Sequence, residues 1–114
     1  MITISLLKNK AQSITGFTVK WHAGYAESGA DIVCAAVTTA VMTAVNGLTD
    51  VARISAEVSA EEGFVSCRLP ETLTDAERHD ADLLLGSMCL TLDNLAAQYA
   101  AYVRICVRCE IHLQ

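Results

Sequence analysis

The sequence predicts an α+β fold: one domain over residues 1–114, elements in the order ββαββαβ, and a mixed sheet with two helices packed on it. Three observations carry this. Five short stretches alternate apolar and polar residues, the period of a half-buried strand. Two longer stretches repeat apolar residues at helical spacing. No Pro/Gly-rich linker divides the 114 residues, a length at which roughly two thirds of the unfolded surface can be buried.

The elements follow in order. Ile2, Ile4 and Leu6 alternate with polar residues as the first strand, residues 8–13 are a turn, and Phe17, Val19 and Trp21 form a second strand ending near His22. A loop over residues 23–30 follows; its Gly24 and Gly29 can take backbone angles closed to other residues. Asp31 suits a helix N-cap. Val33, Val37, Val41, Ala44 and Leu48 then recur at helical spacing, and Asn46-Gly47 suits the helix end. Many of these residues are β-branched and only modest helix formers, but the apolar stretch is long for one strand and carries several alanines.

Ile54, Ala56 and Val58 alternate, Glu61-Glu62-Gly63 is a turn, and Val65, Cys67 and Leu69 alternate after it, which predicts a hairpin closed off by Pro70. Thr74 with Glu77 three residues on is a capping-box signature. The long helix behind it carries Ala81, Leu85, Met88, Leu92, Leu95, Tyr99 and Tyr102 on one stripe, as core or as core plus a dimer seam. Val103, Ile105, Val107, Cys109 and Ile111 form the last strand.

Composition narrows the function classes. The chain is 53% apolar and 18% charged, as globular domains are. It holds 8 basic and 13 acidic residues, a net charge of −5, with no run of like charges, so direct nucleic-acid binding is not expected. The N-terminus lacks the pattern of a signal peptide, and the apolar stretch over residues 32–45 is short for a membrane span; no membrane association is expected. Five cysteines is an odd number without framework spacing, which points to free thiols and a cytoplasmic location.

Residues 21–36 carry the chemistry. His22 stands at the end of a strand and Cys34 in the first turn of a helix, on either side of the glycine-flanked loop. A cysteine attacks as its thiolate, and a free thiol with a pKa of about 8.5 holds little thiolate at neutral pH. A helix N-terminus and an adjacent imidazolium both favour the anion. Backbone N–H groups near Val33 and Cys34 could also donate to the oxyanion of a tetrahedral intermediate. Asp31 has two readings, a helix cap or the carboxylate that orients His22, and the two compete in part. Tyr25 and Glu27 on the loop could contact a basic peptide, and exposed loop residues are an equal reading.

Other candidates are weaker. Cys106, Cys109 and His112 form an evenly spaced set, but on a strand residues three apart face opposite sides, and no second ligand pair has zinc-site spacing. No metal or other cofactor is expected. Cys67 and Cys89 fit core positions, and His79 lies on a solvated helix face among Glu77, Asp80 and Asp82.

The string His22-Ala23-Gly24-Tyr25-Ala26-Glu27, then Gly29, then Asp31-Ile32-Val33-Cys34-Ala35-Ala36-Val37, resembles the ribosomal-processing cysteine proteases of bacteria. Those proteins carry a glycine-histidine-alanine segment followed by aspartate-isoleucine-valine-cysteine. The chain length, the ββαββαβ order and the Asn46-Gly47-Leu48 helix end are similar too. The resemblance implies a cysteine endopeptidase that removes a short N-terminal extension from the large-subunit ribosomal protein numbered twenty-seven. It implies Cys34 as nucleophile, His22 as base and Asp31 as a third member. It also implies a homodimer, and a loop that moves when substrate binds, here Ala23, Gly24, Tyr25, Ala26, Glu27, Ser28, Gly29 and Ala30. Trp21 departs from the family's usual glycine before the histidine and bears on loop mobility and substrate fit. Two alternatives are a non-catalytic ribosome-associated binding module and a cysteine hydrolase with another substrate.

Overall fold

The computed structural model describes residues 1–21 and 30–110, with the backbone alone described for Ala30 and Asp31. Five strands and two helices follow one another as predicted: β1 (Ile2–Lys8), β2 (Ile14–Lys20), α1 (Ala30–Asn46), β3 (Glu57–Glu61), β4 (Phe64–Arg68), α2 (Asp75–Gln98) and β5 (Val103–Cys109). The strands form one sheet in the order β3-β4-β2-β1-β5. Neighbours are antiparallel except β1 and β5, which run parallel, so the sheet is mixed.

Alternation along the strands decides which side chains meet the helices. Ile4 stands opposite Val19 and Ile105, Leu6 opposite Phe17, and Phe17 opposite Cys67. Together with Val33, Val37, Val41 and Ala44 of α1, Leu48 just beyond it, and Ala81, Leu85, Met88 and Leu92 of α2, these residues build one buried cluster, with Ile105 partly buried against it. Leu95 of α2 is packed against it and only partly covered, as are Tyr99 and Tyr102, which lie beyond the helix and not on its stripe as expected, because α2 stops at Gln98. The helices therefore cover one face of the sheet, and no described element covers the other.

Local chemistry explains the boundaries. In the β1–β2 turn the Asn9 carboxamide accepts from the N–H groups of Ala11 and Ser13, at 3.0 and 3.1 Å. The Thr74 hydroxyl accepts from the Glu77 N–H at 3.1 Å while the Glu77 carboxylate accepts from the Thr74 N–H at 2.9 Å, closing the expected capping box. Inside α1, the hydroxyls of Thr39 and Thr43 donate to the carbonyls of Ala35 and Thr39, which keeps polar β-branched residues compatible with a helix.

Three expectations need correction. Asn46-Gly47 does not end the helical path: a π turn, Gly47–Val51, continues it. Gly47 serves close approach instead, since a Cβ there would lie 2.9 Å from Leu84 Cδ2 on α2. Ile54 belongs to no strand. The chain passes Arg53 with a positive φ of 56°, the Ile54 N–H donates to the Leu48 carbonyl, and its side chain is buried beneath the helix end. The hairpin strand starts only at Glu57, and as an edge strand it is exposed at every position, Val58 included. Finally, β5 is buried only at its start: Val103 is covered, whereas Val107 is 55% exposed, because β5 is the other edge of the sheet.

Ile32–Val51 forms a continuous 20-residue stretch of mean hydropathy 1.7, long and apolar enough by composition to cross a bilayer. One stripe of it, from Val33 to Leu48, is the side of α1 that fills the core, and a core helix passes the same test.

Candidate active site

The strand alternation that ends at Lys20 brings the chain to one end of the sheet. There Lys20 pairs with Thr3 at the start of β1 and with Phe64 at the start of β4. Trp21 is the last described residue before the loop. Its N–H donates to the Gly63 carbonyl at 3.1 Å, and its half-buried side chain packs against the core cluster. Gly63 has a φ of 81°, an angle that suits glycine at the tip of the β3–β4 hairpin. The chain thus leaves the sheet from a point held by both backbone and side chain, and Trp21 adds an anchor of side-chain packing where a glycine would supply the backbone contact alone. Sequence periodicity gives no sign of this hairpin contact; the Glu62-Gly63 turn is its only trace.

Cys34 is the described member of the candidate pair. It lies on α1 between Val33 and Val37, each 1% exposed, and is itself half-buried against the core cluster. The Cα–Cβ bond of a helical residue tilts toward the helix N-terminus. The Cys34 thiol is therefore carried back over the first turn, the end that residues 22–29 join to Trp21. His22 and the loop residues Ala23, Gly24, Tyr25, Ala26, Glu27, Ser28 and Gly29 lie outside the described residues, as do the side chains of Ala30 and Asp31.

The helix starts two residues earlier than an Asp31 cap implies, with a chemical consequence. α1 begins at Ala30, so Asp31 is within its first turn instead of capping it, and Cys34 opens the second turn. In a helix starting there, the Cys34 N–H falls inside the i→i−4 ladder, and the unpaired donors are those of the first turn. The donors available to an oxyanion are accordingly the N–H groups of Ala30, Asp31 and Ile32, one turn before the thiol.

The other cysteines occupy different environments. Cys67, on β4, is buried, and burial pushes its thiol up to about 11. Cys89, on α2, is also raised, first by burial and then by the Asp93 carboxylate, with Lys8 opposing. Both favour the inert protonated form. On β5, Cys106 pairs with Ser5 and Cys109 with Lys8, positions three apart that face opposite sides of the sheet. His112 and Ile111 lie outside the described residues. Among the described residues no three His, Cys, Asp or Glu side chains come together as metal ligands.

The sequence profile of the family described as cysteine protease Prp matches residues 1–104. The ribosomal processing cysteine protease Prp of Bacillus subtilis is 30% identical over 107 residues, spanning 92% of this chain and 96% of that protein. Its Staphylococcus aureus counterpart is 25% identical over 92% of this chain and 97% of its own length. Among solved structures, SMU.848 from Streptococcus mutans superposes with a TM-score of 0.83 at 28% identity, covering 96% of each chain. The S. aureus protease Prp in complex with a substrate peptide superposes with a TM-score of 0.83 at 23% identity, over 95% of this chain and 100% of that one. At that identity the likeness shows the shared fold.

Proposed function

The chain belongs to the Prp family of ribosomal-processing cysteine proteases, and from that premise we propose that Cys34 and His22 cut the N-terminal extension from the large-subunit ribosomal protein numbered twenty-seven. His22 takes the proton from the Cys34 thiol, and the thiolate attacks the scissile carbonyl. First-turn N–H groups of α1 receive the oxyanion. The tetrahedral intermediate collapses to a thioester as His22 returns the proton to the leaving amine. Water, deprotonated by His22, then hydrolyses the thioester and frees the enzyme. Asp31 orients the imidazole or serves the helix start.

The observation that carries this reading is the position of Cys34. It is half-buried one turn into a helix whose N-terminus is joined by eight residues to an anchored Trp21, with His22 the first of the eight. The substrate peptide lies beside the loop over residues 23–30. Work on a ribosomal protein precursor places the enzyme in the cytoplasm. Homodimerisation fits the outer side of α2, where Leu83 and Leu90, seven residues apart, are 60% and 65% exposed on one helix face. A mass measurement in solution tests it: the double substitution Leu83→Glu, Leu90→Glu should turn a dimer into a monomer. The test of the activity is cleavage of a synthetic peptide spanning the extension, with Cys34→Ala as the variant that should not cut.

A further inference from the structure

The two edges of the sheet are complementary to each other. On the face away from the helices, strand register carries one row of side chains from Glu61 on β3 through Phe64, Lys20 and Thr3 to Arg104 on β5. A second row runs from Glu57 through Arg68, Gly16 and Leu7 to Arg108. Each row begins in a carboxylate at one edge and ends in a guanidinium at the other. Between them a row of small groups runs from Ser59 to Cys106. The glutamate pair and the arginine pair have the same spacing, four residues or about 13 Å along the strand. The inner cations are occupied: Arg68 pairs with Glu110 at 2.8 Å, and Lys20 Nζ lies 5.8 Å from the centre of the Phe64 ring. The edge charges Glu57, Glu61, Arg104 and Arg108 have no ion-pair partner among the described residues.

Strand direction completes the match. β3 is antiparallel to β4, β4 to β2 and β2 to β1, and β1 is parallel to β5, so β3 and β5 run in opposite directions. A second copy set beside the first in the same orientation therefore presents its β3 antiparallel to β5, and the rows meet in register. Glu61 comes opposite Arg104, Glu57 opposite Arg108 and Ser59 opposite Cys106. On the helix side of the sheet Val58 comes opposite Val107, and these two are the exposed large apolar side chains on the described strands. Pairing of like edges does not fit. Two β5 edges related by a two-fold axis bring Arg104 against Arg108, two β3 edges bring Glu57 against Glu61, and like charges directly opposite destabilise a strand pair.

We propose that this chain associates edge to edge with a second copy of itself, β3 of one copy adding to β5 of the next. The contact supplies ladder hydrogen bonds to two strand edges that no described element pairs. The two ion pairs fix the register, since a slip by one residue turns the glutamates to the helix side. Because it joins two different edges, the contact is heterologous and extends from copy to copy, unlike a two-fold contact through Leu83 and Leu90. The docked hairpin is the one whose Gly63 carbonyl accepts from the Trp21 N–H, so a neighbour's β5 buttresses the point from which the loop leaves the sheet.

The test uses the full chain. Ser59→Cys places a thiol opposite Cys106 of the neighbour, at a cross-strand spacing that a disulfide can bridge. In a chain that also carries Cys34→Ser, Cys89→Ser and Cys109→Ser, oxidation with copper–phenanthroline should give a ladder of dimers, trimers and larger species. Adding Cys106→Ser should remove every species beyond a dimer. Sedimentation over a dilution series reads the contact without cross-links. Glu57→Arg with Glu61→Arg, and separately Arg104→Glu with Arg108→Glu, should each weaken association by about ten-fold or more, because both edge pairs become like pairs. Mixing the two variants should restore association, since an arginine-bearing β3 then meets a glutamate-bearing β5; misfolded variants would not be rescued in this way. Four results would overturn the proposal: no ladder from the Ser59→Cys chain; folded charge-reversal variants that associate as tightly as wild type; a mixture that stays dissociated; or association that survives both reversals and vanishes with Leu83→Glu and Leu90→Glu, which would place the contact on α2. Peptide cleavage enters none of these readouts, so they stand apart from the proposed function.

Discussion

Adding one methyl group at two glycines should change stability in opposite directions. A Cβ at Gly16 on β2 would lie 2.9 Å from the Cys67 carbonyl oxygen and 3.5 Å from the Arg68 Cα. Both neighbours are backbone of the paired strand β4, so no rotamer change relieves the contact, and β2 and β4 must separate by several tenths of an ångström. Overpacking of this kind costs about 1–3 kcal/mol. Removing glycine's extra freedom in the unfolded chain offsets about 0.5–1 kcal/mol. Gly16→Ala should therefore lose about 1–2 kcal/mol, roughly 4–8 °C in Tm. At Gly86, in the middle of α2, a Cβ meets nothing within 4 Å. Alanine there gains helix propensity and should add about 0.5–1 kcal/mol. Urea melts of both variants, checked for unchanged m-value, read the two effects separately. A Gly16→Ala variant as stable as wild type would refute the argument from strand spacing. A Gly86→Ala variant that loses stability would refute the claim that this face of α2 is open.

Further outcomes are expected from the same geometry. Thr74→Ala removes the hydroxyl half of the capping box and should cost about 1 kcal/mol in a chemical melt. Leu85→Ala, at a side chain 2% exposed between α2 and the sheet, should cost about 3 kcal/mol. Because the Cys67 thiol is raised from 9.0 to about 11 by burial, the stability tied to its protonated form is complete below pH 9 and is lost as pH rises toward 11. The loss is about 2–3 kcal/mol across that window, and Cys67→Val should flatten the pH profile there. At neutral pH iodoacetamide should label Cys34 well before Cys67 and Cys89; labelling of Cys67 in the native protein at a comparable rate would contradict the burial assigned to it.

How far the sequence leads depends on which force sets each element. Where burial alone decides, periodicity is sufficient: the α1 stripe from Val33 to Leu48 and the α2 stripe from Ala81 to Leu92 are the buried stripes of the structure. Where the backbone makes a choice that side-chain pattern does not encode, it is not. The π turn after Asn46 and the left-handed Arg53 move Ile54 out of a strand and into the core, although its alternation with Ala56 and Val58 is that of a strand. The edge strands show a second limit, since Val58 and Val107 alternate correctly yet are left uncovered by where their strands fall in the sheet. At the candidate site, the helix that carries Cys34 was legible, while His22 lies outside the described residues. The Trp21–Gly63 contact was not, because it joins segments some forty residues apart.

The central claim is that Cys34 is the nucleophile of a protease that processes a ribosomal protein precursor. The most direct measurement is cleavage of a peptide spanning the N-terminal extension of that protein, followed by mass spectrometry for wild type, Cys34→Ala and His22→Ala side by side, with Cys89→Ala as the thiol control. Wild type and the control should cut at one bond at similar rates, while kcat/KM falls by about 10⁴-fold or more in the other two. A folded Cys34→Ala variant that cuts the same bond at the wild-type rate would contradict the account.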